Sequence, residues 1–109
     1  MIPGTNRRLS ARKVLRRPAI VLLPGGLERA VRTWDVGVDG MSLVSAKPIP
    51  PGTRCTVRME LPEGEAVRLL DVPVKTVYCS LMGPEGVKVG MVFGALDADT
   101  ERAIQRFMA

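Results

Sequence analysis

"TRCTVRMELPEGEAVRLLDVPVKTVYCS", residues 53–80, is the stretch that decides the fold class. Its first part alternates. Cys55, Val57 and Met59 share one face, and Arg54, Thr56, Arg58 and Glu60 share the other. That is the period of a half-buried strand. "PEGE" turns the chain. "AVRLLDVPVKTVYCS" is then a longer strand, with Pro73 expected at an edge or bulge because it has no N–H for a ladder.

The pattern continues on both sides. "PAIVLLPGGLERAVRTWDV" reads as a hairpin: an apolar run over residues 18–23, the turn "PGG", and a strand over residues 27–36. "DVGVDG" must turn or bulge. "GMSLVSA" resumes as a strand with Met41, Leu43 and Ser45 on one face, and "KPIPPGT" is a proline-stiffened loop. On the other side "LMGPEG" turns, and "VKVGMVF" sets Val87, Val89 and Met91 against Lys88, Gly90 and Val92. "DADTERAIQRFMA" changes period. Asp97 or Asp99 is placed to cap a helix, and Ala103, Ile104, Phe107 and Met108 form its apolar stripe. About six antiparallel strands and one C-terminal helix predict an all-β chain, a small closed or nearly closed barrel with the helix over one mouth or side.

The 109 residues fit one domain. Only four are aromatic, so the core must be mostly aliphatic. Cys55 and Cys79 have no zinc spacing and read as buried thiols of a reducing compartment. No signal peptide is legible, and the run "AIVLL" is too short to span a membrane. A cytoplasmic protein, or a module cut from a larger one, is expected. Histidine is absent, which removes the commonest general base and metal ligand. Nucleophile elbow, Walker A loop and dinucleotide fingerprint are also missing. A binding module, not an enzyme, is the reading, with no metal and no cofactor.

The charge is local. The net charge is +5, yet residues 1–27 carry six cations and no anion, and the remaining 82 residues sum to −1. The cations lie in "RRLSARKVLRRP", residues 7–18, and arginine outnumbers lysine five to one there. A guanidinium grips phosphate bidentately, pairs with the O6/N7 edge of guanine, or stacks on a base. The target is therefore an anion: nucleotide, nucleic acid or lipid headgroup. Ser10 and Pro18 bracket a short helix that would stack Arg12 on Arg16, with Arg8, Lys13 and Arg17 nearby. Like charges at that spacing repel by a few tenths of a kcal/mol per pair. With no acid near in sequence, the segment is expected to be loose until an anion binds.

"WDVGVDGMSLVS", residues 34–45, is the second feature. Asp35 has the acceptors for guanine's Watson–Crick donors, and Gly37 and Gly40 allow close backbone approach. A plain connection between strands would look the same. Trp34 suits rim packing or stacking on a base.

Together the two features resemble the PilZ domain family. Its RxxxR is matched by "RKVLR", Arg12 to Arg16, followed at once by a strand. Its [D/N]xSxxG is matched by "DVGVDG", Asp35 to Gly40; a frame starting at Asp39 puts Ser42 fourth and lacks the closing glycine. "PPGTRCTVRMELP", "VKVGMVF" and the final helix also resemble family segments, so the likeness covers residues 7–108. The resemblance implies a six-stranded antiparallel β-barrel with a C-terminal α-helix. It divides the chain into a basic segment, residues 1–17, and the barrel with its helix, residues 18–109. It implies a cyclic di-GMP receptor. Arg12 and Arg16 would hold guanine edges and phosphates, Asp35 the guanine N1/N2 donors, and Gly40 the close approach, with Arg8, Lys13 and Arg17 as auxiliary contacts. A protein partner or a fused effector is implied, and neither DNA nor a membrane span. Gly37 stands where the family usually has serine. The lost hydroxyl is worth roughly 0.5–1.5 kcal/mol, up to about tenfold in affinity. Two other classes stay open: an adaptor of this fold that binds only protein, and a barrel that binds single-stranded nucleic acid through its basic arm.

Overall fold

The alternation seen in the sequence becomes a closed barrel. The computed structural model describes residues 11–109. Among them are seven strands: β1 (Lys13–Val14), β2 (Pro18–Leu22), β3 (Glu28–Val36), β4 (Gly40–Ser45), β5 (Arg54–Glu63), β6 (Ala66–Leu81) and β7 (Val87–Phe93). One α-helix follows, α1 (Ala98–Met108). The antiparallel order β3-β2-β5-β6-β7-β4 closes where β4 pairs back onto β3. Each of these six strands pairs on both sides over part of its length, the β5–β6 hairpin runs on past its neighbours at its turn end, and the two-residue β1 adds beside the end of β3.

The inward positions fill an aliphatic core. Val21, Val36, Met41, Leu43, Val57, Val72 and Val89 are fully buried. Helix α1 starts where Asp97 Oδ1 accepts a 2.7 Å bond from the Thr100 amide. Ala103 and Ile104 are buried against the barrel at β5, with Phe107 and Met108 half-buried beside them. The "PEGE" turn is shorter than expected: β5 runs through Glu63 and only Gly64 and Glu65 turn. Pro73 pairs with Thr56 in a regular stretch of ladder. Its carbonyl accepts from Gly94 N at 2.8 Å, past the end of β7, so its missing N–H falls where no strand asks for one. Both cysteines are free and half-buried, and burial pushes the Cys55 thiol up from its ordinary pKa.

Two bulges set what faces outward. The β3–β4 register passes from Thr33↔Leu43 to Asp35↔Ser42, leaving Trp34 as the extra residue. The β6–β7 register passes from Thr76↔Met91 to Tyr78↔Gly90, leaving Val77. Cross-strand partners share a face. Thr33 therefore sits inside with Leu43, while Asp35 lies outside with Ser42. The result is one outward row across five strands: Val14, Asp35, Ser42, Gly90 and Tyr78.

The basic segment departs from expectation. Residues 13–14 are strand, not helix, and Ser10 and Arg8 lie outside the described residues. The reason is that β3 offers better partners than a helix would. Leu15 is buried, and its N–H donates to Trp34 O at 3.1 Å. Arg17 and Thr33 exchange bonds: Thr33 N donates to Arg17 O at 2.8 Å, and Arg17 N donates to Thr33 Oγ1 at 2.9 Å. The fully buried Thr33 hydroxyl donates in turn to Leu15 O at 2.5 Å.

Thr33→Val keeps the volume and removes this junction. It should cost about 1–3 kcal/mol, because Leu15 O and Arg17 N lose a buried partner. Urea denaturation checks it; unchanged stability would deny the hydroxyl its role. The cap at Asp97 gives a second test. The bond from the Thr100 amide holds the Asp97 carboxyl below its ordinary value. A depressed folded-state value adds stability that is full above the unfolded-state value and is lost as pH falls through the folded one. The melting-temperature gap between the native chain and Asp97→Ala should hold down to about pH 4 and close below it.

Candidate functional site

The site forms where the segment from Ala11 to Arg17 crosses the end of β3. The bulge puts the Asp35 carboxylate on the outer face. Ser42 Oγ donates to Asp35 Oδ1 at 2.7 Å, from a serine that is itself buried. Arg12 Nη1 reaches the same oxygen at 3.2 Å. The arginine side chain is 39% exposed and the aspartate 22%. An ion pair this open contributes about 0–1 kcal/mol, so Arg12 is held lightly.

Arg16 lies on the neighbouring residue. Its Nε donates to Trp34 O at 3.1 Å, and its guanidinium carbon stands 3.4 Å from the centroid of the Trp34 ring. That is a stacked cation–π contact. The two arginines of the RxxxR spacing thus rest on consecutive residues of β3.

The remaining cations turn elsewhere. Arg17 pairs with Glu60 of β5 at 3.2 Å. Lys13 Nζ donates to the carbonyl of Phe107 at 2.9 Å and lies 5.4 Å from its ring, a cation at the C-terminal end of α1. Arg12, Lys13, Arg16 and Arg17 therefore all have partners, and the expectation of an unpartnered segment is overturned. The partners are 18 to 94 residues away in sequence. Pairing of β3 with β1 and β2, pairing of β2 with β5, and packing of α1 on β5 bring them near.

The glycines act differently from each other. A Cβ on Gly37 would lie 3.0 Å from Ala11 O and 3.1 Å from Arg12 Cδ, so the crossing segment fills the space a side chain would need. A Cβ on Gly40 would collide with the carbonyl of Met91. The close approach that Gly40 permits is the approach of β7. The structure brings Arg12, Arg16, Asp35 and Gly37 together, places Gly40 at the start of β4, and sends Lys13 and Arg17 to other partners.

Ser42 joins the site although the motifs do not single it out. The signal was present: a turn over residues 37–39 pairs Val36 with Met41 and Asp35 with Ser42. From sequence Trp34 suits packing or stacking on a base. Its partner is Arg16, and its ring opens on a groove of about 250 Å³ lined by Arg16, Arg32, Trp34, Val44 and Glu85. No cluster of potential metal ligands occurs among the described residues. No helix among them is long and apolar enough to cross a membrane.

The fold and the two motifs define a small barrel with an arginine-bearing strap across its outer face. The family profile described as PilZ domain matches residues 6–109, and the chain belongs to that family. No curated protein sequence matches it significantly. Solved structures do. The inhibitor of motility MotI/DgrA of Bacillus subtilis is similar with a TM-score of 0.74 at 18% identity, over 94% of this chain and 50% of that one. The PlzA protein of Borreliella burgdorferi, solved in complex with c-di-GMP, gives 0.70 at 13% identity, over 97% of this chain and 43% of that one. YcgR of Escherichia coli, also in complex with c-di-GMP, gives 0.67 at 20% identity, over 94% of this chain and 44% of that one. This chain spans half or less of the length of these three proteins.

The glycine contacts give a further test. Gly40→Ala should destabilise by about 1–3 kcal/mol or more, since its obstacle is β7 backbone inside a closed ladder. Gly37→Ala should lose less, because Arg12 can swing aside. Equal urea midpoints for the two variants would contradict the assignment.

Proposed function

We propose that this chain is a cyclic di-GMP receptor in which the crossing segment and the Asp35 turn clamp the dinucleotide. One observation carries the reading: Arg12 and Arg16, four residues apart in sequence, meet Asp35 and its neighbour Trp34 on one outer face. Membership of the PilZ family supports it, as do the relatives solved with c-di-GMP. The ligand offers phosphates and guanine O6/N7 acceptors to guanidinium groups, and N1–H and N2–H₂ donors to a carboxylate. Arg12 leaves Asp35 for the ligand at small cost, because its ion pair is open to solvent. Binding then lifts the segment from its place over Gly37 and re-aims the surface around it toward a protein partner or a fused effector. The residues gathered here are guanidinium, carboxylate and aromatic groups turned outward, a binding face, and the proposed role is reception, not turnover.

Titration calorimetry with cyclic di-GMP, GTP and cyclic di-AMP tests this. Cyclic di-GMP alone should bind tightly, and Arg16→Ala should weaken it about tenfold or more through loss of a charge-assisted contact. Absence of heat with cyclic di-GMP at sub-millimolar protein would end the proposal. The Gly37 departure favours one other reading, an adaptor that binds only protein. A partner captured equally well by the native chain and by the Arg12→Ala/Arg16→Ala variant would support that adaptor.

A further inference from the structure

The outer face carries a second recognition set beside Asp35. Two residues along β4 from Ser42, Val44 stands between Arg32 of β3 and Lys88 of β7. That displacement is about 7 Å along the strand. The groove of about 250 Å³ opens at this row. Four chemistries line it. Trp34 supplies an aromatic face, already covered by the planar Arg16 guanidinium. Arg32 adds a second guanidinium on an outward, exposed position of β3. Val44 forms an apolar floor. Glu85, from the turn Gly83–Glu85 between β6 and β7, adds an exposed carboxylate, the only acidic group in the lining. A neighbouring lobe of about 330 Å³ shares Arg32, Val44 and Glu85, so the space continues along the face.

The groove at Trp34, taken without its neighbouring lobe, lies below the roughly 300–1,000 Å³ of sites that enclose a drug-sized ligand. It suits one base, not a whole dinucleotide. The lining suits one base in particular. Guanine presents N1–H and N2–H₂ donors on one edge and O6 and N7 acceptors on another. A carboxylate matches the first edge and a guanidinium the second. Adenine would set its N1 acceptor against the carboxylate, and both would be left desolvated without a bond.

We infer that this groove is a guanine subsite, in which Glu85 accepts from N1–H and N2–H₂, Arg32 donates to O6 and N7, and the base stacks on the Trp34–Arg16 pair. The inference rests on the cyclic di-GMP reading and deepens it. The ligand has two guanines, and this side of the barrel offers a carboxylate for each: Asp35 beside Arg12, and Glu85 in the groove that Arg16 and Arg32 also line. Asp35 takes one guanine and Glu85 the other.

The test uses Glu85→Gln, an exposed and isosteric change. Its charge effect runs against its contact effect. Removing a negative charge alone would strengthen binding of an anionic dinucleotide. Loss of the paired acceptor would weaken it about tenfold or more. Calorimetry compares native chain and variant with cyclic di-GMP and with its hypoxanthine analogue, which lacks both N2 amines. Trp34 is the single tryptophan, so its emission reports the groove in the same titrations. The expected result is weaker cyclic di-GMP binding by the variant, a smaller preference for guanine over hypoxanthine, and a Trp34 change that saturates with the heat. Equal or tighter binding of cyclic di-GMP by Glu85→Gln overturns the subsite and leaves the receptor reading standing. No heat from the native chain overturns both.

Discussion

The structure turns on one inserted residue. Alternation along β3 from Val31 through Thr33 would carry Asp35 into the barrel and Val36 out of it. The bulge at Trp34 reverses this, so Val36 is fully buried and Asp35 faces out opposite Ser42. The alternative would place an ionised carboxylate among Leu43, Val89 and Met91, at a cost no neighbouring cation could offset. A one-residue change of register moves every later side chain to the other face. Here that physics leaves a carboxylate on the outer wall and leaves the tryptophan beside it half-buried. A second bulge at Val77 acts in the same sense and sets Tyr78 outward over Gly90. The outward row that passes through Asp35 is the product of both.

The segment before β2 depends on the same bulge. With Trp34 extruded, its carbonyl is left to accept from Leu15 N and from Arg16 Nε. Thr33, the last inward residue before the bulge, ties the backbone of residues 15–17 through its hydroxyl. The segment is thus fixed by apolar burial at Leu15 and backbone bonds at Thr33, while the contact of Arg12 with Asp35 is an open ion pair. Firm anchoring at one end and light anchoring at the other let arginines be presented without the segment leaving the barrel.

Much of this was legible in the sequence, and the reasons differ by element. Strands β5 and β7 showed themselves because each has one face in the core and one in water. The spacing to the apolar stripe of α1 left Asp97 and Asp99 as candidate caps, and the structure selects Asp97. Arg12, Arg16, Asp35 and Gly37 were picked out by motif, and they converge. What failed was of two kinds. A bulge adds one residue, and a tryptophan that fits either face of a strand leaves no mark in the pattern. The arginine segment looks helical because Ser10 and Pro18 bracket it as cap and stop, and it looks unpartnered because its acids are far away in the chain. Local sequence carries neither the pairing of Lys13 with Val36 nor the reach of Arg17 to Glu60. Ser42 was passed over because its hydroxyl acts across a hairpin register, not within a motif.

Gly37 takes on a different meaning once the segment is in place. From sequence it is a loss, one hydroxyl fewer for a ligand, roughly 0.5–1.5 kcal/mol. In the structure it is also a space, because a side chain there would press on Ala11 O and on the stem of Arg12. A serine and the docked segment compete for the same volume. Glycine therefore favours the docked position, in which Arg12 sits on Asp35. A ligand that needs both groups must first separate them, and its apparent affinity falls by the fraction of molecules in which they are apart. Serine would add a contact and weaken the docked state; glycine does the reverse. On the proposed cyclic di-GMP reading, the identity of this one residue would act both on the strength of the site and on how readily the segment leaves it.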